Sequence, residues 1–424
     1  MEYQSGFANH FETEALQGSL PQGQNSPKVP LKGLVPEQLT GSAFTMDRAQ
    51  NLRSWLYRIR PATLHEPYEA YSQTSWKTQV ESPHLSNPGQ MRWQPMEKPQ
   101  SDCDFVDGIV TMVATAEKPG CAVHHYGFNK NMDSKFFYNA DGELLIIPEK
   151  GSLKVRTEMG DLEVEPQEIV IIPRGIKFQV LSQGNDWCRG YVGENTGHPF
   201  ILPNLGPLGA NALAIPRDFK YPVATYENKE GEYEVVAKFN HGFWKYRQGH
   251  SPLDVVAWHG NYAPYKYDLR KFNTMGTVSY DHPDPSIYTV LTSPSAIPGQ
   301  ANIDFVIFPP RWLVGENTFK PPYYHRNIMS EYMGLIHGDY DAKKGGFVPG
   351  GSSLHNRMSA HGPDTNVFNT AIQATEEPYK VKDTMAFMFE TCHIYHPTES
   401  ALKSSTLEKD YWKCWQGFKP LFKD

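Results

Sequence analysis

The run Glu168-Ile-Val-Ile-Ile-Pro173-Arg-Gly175-Ile-Lys-Phe178 decides how this chain folds. Four apolar residues in succession, closed by a Pro-x-Gly turn, read as a buried strand and not as one face of a helix. Working outward, Gly108-Ile-Val-Thr-Met-Val-Ala, Ala122-Val-His-His-Tyr and Lys135-Phe-Phe-Tyr precede it as further strands. The turn Asn139-Ala-Asp-Gly142 leads into Glu143-Leu-Leu-Ile-Ile147, and the stretch from Gly151 to Gly160 alternates as a half-buried strand does. His124 and His125 are neighbours on a strand and so point to opposite faces, which makes them structural residues and not a shared site.

Composition agrees with strands and turns. The 424 residues include 34 glycines and 34 prolines, and 13% are aromatic, a mixture that favours β structure over long helices. Such a length predicts two domains or one large β architecture. A formal charge of -7 and a pI near 6.2 exclude the basic face that a nucleic-acid partner demands. Charges are mixed without long runs, and no apolar stretch reaches bilayer-spanning length, so no membrane association is expected. The first residues lack the basic and apolar regions of a secretory signal. The five cysteines (Cys103, Cys121, Cys188, Cys392, Cys414) are odd in number, scattered and without Cys-x-x-Cys, the pattern of reduced thiols in a cytoplasmic protein.

Residues 1 to about 60 are turn-rich, yet Arg53-Ser-Trp-Leu-Tyr-Arg-Ile59 is too apolar for a free tail. An extended arm lying on the body or on a neighbouring subunit is predicted. A second body begins near Asp268 to Val278 and runs through Asp304-Phe-Val-Ile-Phe-Pro-Pro310 to Thr384-Met-Ala-Phe-Met-Phe-Glu390. Within it, Pro363 to Asp383 is the best helix candidate. The aromatic segment Tyr411-Trp-Lys-Cys-Trp-Gln-Gly-Phe418 is expected to pack back on the body.

Chemistry concentrates in Pro321-Pro-Tyr-Tyr-His325-Arg-Asn-Ile-Met-Ser-Glu331 and in Leu354-His355-Asn-Arg-Met-Ser-Ala-His361-Gly-Pro. Two histidines and one carboxylate can fill one side of Fe(II) and leave the opposite positions open. His-x5-Glu suits a strand, a bend and the next strand, because helical ligands recur at three or four residues. Spacing leaves the second histidine open. His355 and His361 both qualify, with the other placed behind the metal. A lone histidine of this kind reads as structural. Several together with a carboxylate read as a metal site.

The Pro173-Arg-Gly175 turn resembles that of cupin barrels, but Phe178 stands where a ligand histidine would, and the other cupin ligands are missing between Tyr138 and Gly151. Pro349-Gly-Gly351-x3-His355 resembles the second cupin motif and favours His355. The predicted fold is mostly β: cupin-like (bicupin, RmlC-like) jelly-roll barrels with an N-terminal β-rich arm and few helices. Residues 1–267 would hold the arm and a metal-free barrel, and 268–424 a barrel carrying the iron site.

Longer blocks resemble the homogentisate 1,2-dioxygenase family across nearly the whole chain. They are Gly18-Ser-Leu-Pro-Gln-Gly-Gln-Asn, Glu37-Gln-Leu-Thr-Gly-Ser-Ala-Phe-Thr45, Gly206-Pro-Leu-Gly-Ala-Asn-Ala-Leu-Ala, Val255-Val-Ala-Trp-His-Gly-Asn-Tyr-Ala-Pro-Tyr-Lys-Tyr267, Asp281-His-Pro-Asp-Pro-Ser-Ile and the His325–Glu331 block. The resemblance implies Fe(II) held by His325, Glu331 and His361, with His355 a supporting or cavity residue. It also implies His282 as the catalytic acid/base, Tyr340 and His361 as substrate contacts, and a cytoplasmic homo-hexamer built as a dimer of trimers. The implied reaction is extradiol-type cleavage of homogentisate by O2 to 4-maleylacetoacetate, in tyrosine and phenylalanine catabolism. Arg326 and Asn327 flank a ligand and are supporting candidates, Arg326 also as a counter-charge to the substrate carboxylate. The competing readings are a gentisate-type ring-cleaving dioxygenase and a non-catalytic cupin-like binding protein.

Overall fold

The computed structural model describes residues 1–78, 80, 86–204, 213–279, 281, 284–343 and 345–424. The chain is mostly β, with α-helices among the described residues only at Thr365–Ala371 and Glu399–Lys403. Among the described residues, no helix is long and apolar enough to cross a membrane.

Glu168–Ile172 is a strand inside a nine-stranded sheet, between Tyr265–Asp268 and Glu143–Lys150. Successive segments alternate between this sheet and a seven-stranded one. Cys121–Phe128, Glu143–Lys150, Glu168–Ile172 and Cys188–Asn195 lie in the first, while Lys135–Asn139, Leu153–Thr157, Gly160–Val164 and Phe178–Ser182 lie in the second. That alternation is a jelly roll. Its turns follow local chemistry. Asn139 accepts the Asp141 and Gly142 backbone N–H groups at 2.9 and 3.2 Å, and Gly175 adopts φ +86°, open to glycine at little cost. Phe178 is fully buried against Phe105 and Phe137.

The six-stranded sheet of the second half runs Thr289–Pro294, Ala301–Phe308, Thr384–Thr391, Ser330–Gly338, Ser352–His355, Met91–Trp93. Outside that sheet, Arg311–Leu313 pairs with Tyr379–Val381, and a bridge joins His325 to His361. Strands far apart in the chain trade edges between the two sheets. Met91–Trp93 completes the six-stranded sheet, and His396–Pro397 completes the nine-stranded one.

The nine- and six-stranded sheets pack together, which explains why Cys121–Phe128 is buried along its whole length. Tyr191 donates to the Leu335 and Gly351 carbonyls at 3.0 and 2.8 Å, and His125 meets the Tyr332 hydroxyl at 2.9 Å. Gly193 allows this approach: a Cβ there would lie 2.5 Å from the Phe389 ring. His124 points the other way, into the first barrel. There Glu194 accepts hydrogen bonds from Lys238 at 2.7 Å and Asn139 at 2.6 Å and lies 3.2 Å from His124 Nε2. The opposite-face expectation for the two histidines therefore holds.

Residues 3–58 lie on the body. Tyr3–Ser5 pairs with Lys220–Pro222, and Phe11–Glu14, Val35–Thr40 and Arg53–Arg58 join Val255–Gly260 in a four-stranded sheet. The helix expected over 363–383 is shorter. Asp364 caps Thr365–Ala371 by accepting the Val367 N–H at 2.8 Å, and residues 379–381 become a strand after Pro378, which cannot continue a helix.

Lys238 and Glu194 are wholly buried, so removing one partner strands the other's charge. Lys238→Met should lower stability by about 3–5 kcal/mol in urea unfolding, and Lys238→Met with Glu194→Gln should recover much of that. Equal losses in the single and double variants would mean the charge pairing is not what stabilises this barrel.

Candidate metal centre

Glu331 is the second residue of Ser330–Gly338 and stands in a row that crosses the sheet in register: Thr292, Asp304, Glu390, Glu331, His355. In-register residues on neighbouring strands project from one face. Three carboxylates and an imidazole are thereby gathered side by side. Like charges directly opposite repel, and the structure manages this with Asn327. Its amide oxygen accepts the Met329 N–H at 3.0 Å, which turns its NH2 toward the carboxylates. It donates to Glu331 at 3.0 Å and to Glu390 at 2.6 Å. Burial, together with the negative Glu331 beside it, pushes Glu390 up to about 8, so it is predominantly protonated at neutral pH. Burial likewise raises Asp304 to about 6.

Glu331 itself stays ionised. Burial opposes its charge, but hydrogen bonds with His325 and His361 outweigh it and hold the carboxyl well below its ordinary range. His361 Nε2 lies 2.9 Å from one carboxylate oxygen and His325 Nε2 3.7 Å from the other. The two histidines come together through their backbones, which exchange N–H···O bonds of 2.9 and 3.1 Å. Each Nδ1 lies 2.8 Å from a carbonyl two residues back, Tyr323 for His325 and Ser359 for His361. A carbonyl can only accept, so each Nδ1 carries a proton; each Nε2 then donates to Glu331 when the ring is protonated, as the Glu331 hydrogen bond favours for His325, and offers a lone pair when the ring is neutral. With both rings neutral, the trio offers two lone pairs and an anion to one point, a set that a cation in place of the two Nε2 protons would join. Their ligand atoms all lie within 4.8 Å of one another, and among the described residues this trio is the only group of three or more such side chains placed to hold a metal ion.

His355 lies behind His361, its ring stacked at 4.2 Å and nearly parallel. Its Nε2 meets the Tyr411 hydroxyl at 3.1 Å, and burial drives its pKa well below the ordinary histidine value. Tyr340 lines the same cavity, buried between Phe308 and Phe347. Arg326 is exposed and does not line it. His282 lies outside the described residues. The C-terminal aromatic segment packs back as expected, forming a 3-10 turn at Tyr411–Trp415 beside the site. Sequence reasoning missed two residues. Glu390 was visible as a carboxylate ending an apolar strand, and Lys343, which lines the cavity, gave no local signal.

A mostly β, jelly-roll protein with two histidines and a carboxylate converging in its C-terminal half is the class defined by this fold and site. Residues 2–269 match the family model for the homogentisate 1,2-dioxygenase N-terminal domain and residues 270–422 that for its C-terminal domain. The chain belongs to the homogentisate 1,2-dioxygenase family, and it is an oxidoreductase. Among solved structures, the protein Ylba from E. coli is 8% identical, covering 74% of this chain and 98% of its own at a TM-score of 0.32. A cupin 2 conserved barrel domain protein from Leptotrichia buccalis is 8% identical, covering 70% and 96% at a TM-score of 0.30. Likenesses this weak carry no argument about function.

The geometry separates the two late histidines experimentally. His361→Ala should abolish metal retention after dialysis. His355→Ala should keep measurable metal and weaken it by about 10- to 100-fold, the range for losing a residue that supports a ligand. Metal analysis of both variants checks this, and the opposite ranking would move the ligand role to His355.

Proposed function

We propose that this protein opens the ring of homogentisate with O2 to give 4-maleylacetoacetate in tyrosine and phenylalanine catabolism, with His325, Glu331 and His361 holding one Fe(II). The convergence of two Nε2 atoms and one buried carboxylate carries this reading. Bound there, Fe(II) would supply an open coordination face at which an electron-rich ring and dioxygen meet.

The remaining roles belong to the chain. Two neutral imidazoles and one carboxylate leave a divalent ion with one net positive charge, a match for a phenolate. Asn327 keeps the Glu331 carboxylate oriented by donating to it. Burial raises the Tyr340 hydroxyl well above its ordinary value, so it remains protonated and available to donate to a substrate oxygen. His282 is assigned the proton transfer at a ring hydroxyl, since an unperturbed imidazole titrates near neutrality. Phe308, Met333 and Met388 give the cavity apolar walls that exclude water.

We assign residues 268–424 as the iron-bearing unit and 1–267 as the unit that supports it. The family likeness supports a cytoplasmic homo-hexamer, a dimer of trimers, and five free cysteines suit a reducing compartment.

Oxygen uptake on homogentisate and gentisate tests the reading. Gentisate lacks one methylene, and a displacement on the order of 1 Å at the reacting carbon can cost about 10²-fold. Gentisate should therefore turn over at least about 10²-fold more slowly. His282→Phe should keep its iron and lose roughly 10²- to 10⁴-fold in rate. Comparable kcat/KM for the two acids would favour a broader ring-cleaving role, and no uptake with iron bound would favour a binding protein.

A further inference from the structure

We propose that Lys343 receives the carboxylate of the substrate's side arm and so selects an aryl acetate over a plain dihydroxybenzene. This rests on the functional reading above and adds a specificity residue to it. Lys343 is 6% exposed and lines the cavity that His325, Glu331, His361 and Tyr340 share. Its ammonium lies 3.6 Å from Cys414 Sγ, 3.9 Å from the centre of the Trp415 ring and 5.2 Å from that of Tyr411. None of these is a carboxylate. Asp364 is near enough to be felt but makes no ion pair with it among the described residues. Lys238 in the first barrel shows the contrast, with Glu194 at 2.7 Å and Asp141 at 2.8 Å.

A buried ammonium that, among the described residues, meets rings and a thiol and pairs with no carboxylate is costly unless an anion joins it. Burial lowers Lys343 to about 8, which still leaves it mostly charged at neutral pH. A second observation points to the same ligand. His355 Nδ1 is buried without a hydrogen-bond partner, and His355 lines the same cavity. Tyr411 serves both groups: its hydroxyl meets His355 Nε2 while its ring lies beside the Lys343 ammonium. One carboxylate has two oxygens, and this wall offers an ammonium for one and an imidazole N–H for the other. His355 in turn stacks on His361, so the anion receptor lies one ring away from a proposed metal ligand. A divalent ion with Glu331 carries one positive charge and Lys343 adds another. A substrate that is both phenolate and carboxylate cancels the two.

The test is equilibrium binding to the iron-loaded protein without oxygen. The ligands are homogentisate and hydroquinone, which keeps the ring and lacks the arm. Wild type should bind homogentisate more tightly. Lys343→Met and Lys343→Gln should weaken homogentisate by about 10- to 100-fold, the range for a hydrogen bond to a charged group, and leave hydroquinone affinity and iron content within about 3-fold. An arm preference that survives both substitutions overturns the role of the lysine alone. Parallel loss of both ligands also overturns it, by reducing Lys343 to a packing residue. A wild-type protein indifferent to the arm overturns the functional reading and this proposal together.

Discussion

A buried carboxylate has to find positive charge or give up its own, and the placement of Glu331 forces that choice. Strand register sets it beside Glu390 on one side and His355 on the other, with Asp304 one strand further on. The row is resolved unevenly. Glu390 is pushed to its protonated form, Asp304 is raised but stays largely ionised at neutral pH, Asn327 donates to both glutamates, and Glu331 is held well below its ordinary range. The histidines that oppose it commit their Nδ1 protons to backbone carbonyls, which leaves each Nε2 facing the carboxylate, as a donor when the ring is protonated and as a ligand atom when it is neutral. Positive charge here comes either from protons on the two imidazoles or from a cation that replaces them.

The two halves of the molecule answer the same problem differently. In the first barrel His124 and Glu194 form a buried pair, and Lys238 supplies the countercharge from within the chain. In the second half Lys343 lies near the site but makes no ion pair with Glu331 among the described residues. The buried carboxylate of the first barrel thus finds its countercharge within the chain. Tyr191, Tyr332 and His125 tie the two sheets at the level of the Glu331 strand. The exchange of Met91–Trp93 and His396–Pro397 makes each half finish the other's sheet.

Much of this was legible in the residues. Apolar runs such as Glu168–Ile172, bounded by Pro-x-Gly or Asn-x-x-Gly, announce strands because turn chemistry and hydrophobic runs are local properties. Burial of Cys121–Phe128 on both faces was not legible, since the cover comes from strands 200 and more residues away. Edge strands of two or three residues are too short to show a period. The helix over 365–371 was placed but overextended, its limit set by Pro378 and by pairing with Arg311–Leu313. Spacing found His325 and Glu331 but left His355 and His361 open. His361 reaches the carboxylate through a backbone bridge to His325, a long-range pairing that local motifs do not encode. Lys343 and Glu390 owe their importance to what surrounds them, and only the assembled cavity reveals it.

The convergence of His325, Glu331 and His361 on a single cation is the central claim. Its most direct test is an anaerobic crystal structure of the Fe(II)-reconstituted protein, with the iron located by anomalous scattering. One iron peak per chain is predicted, bound by Nε2 of His325, Nε2 of His361 and a carboxylate oxygen of Glu331, with Glu390 and His355 making no bond to it. Iron bound through Glu390 or His355, or through none of the three, would contradict the account.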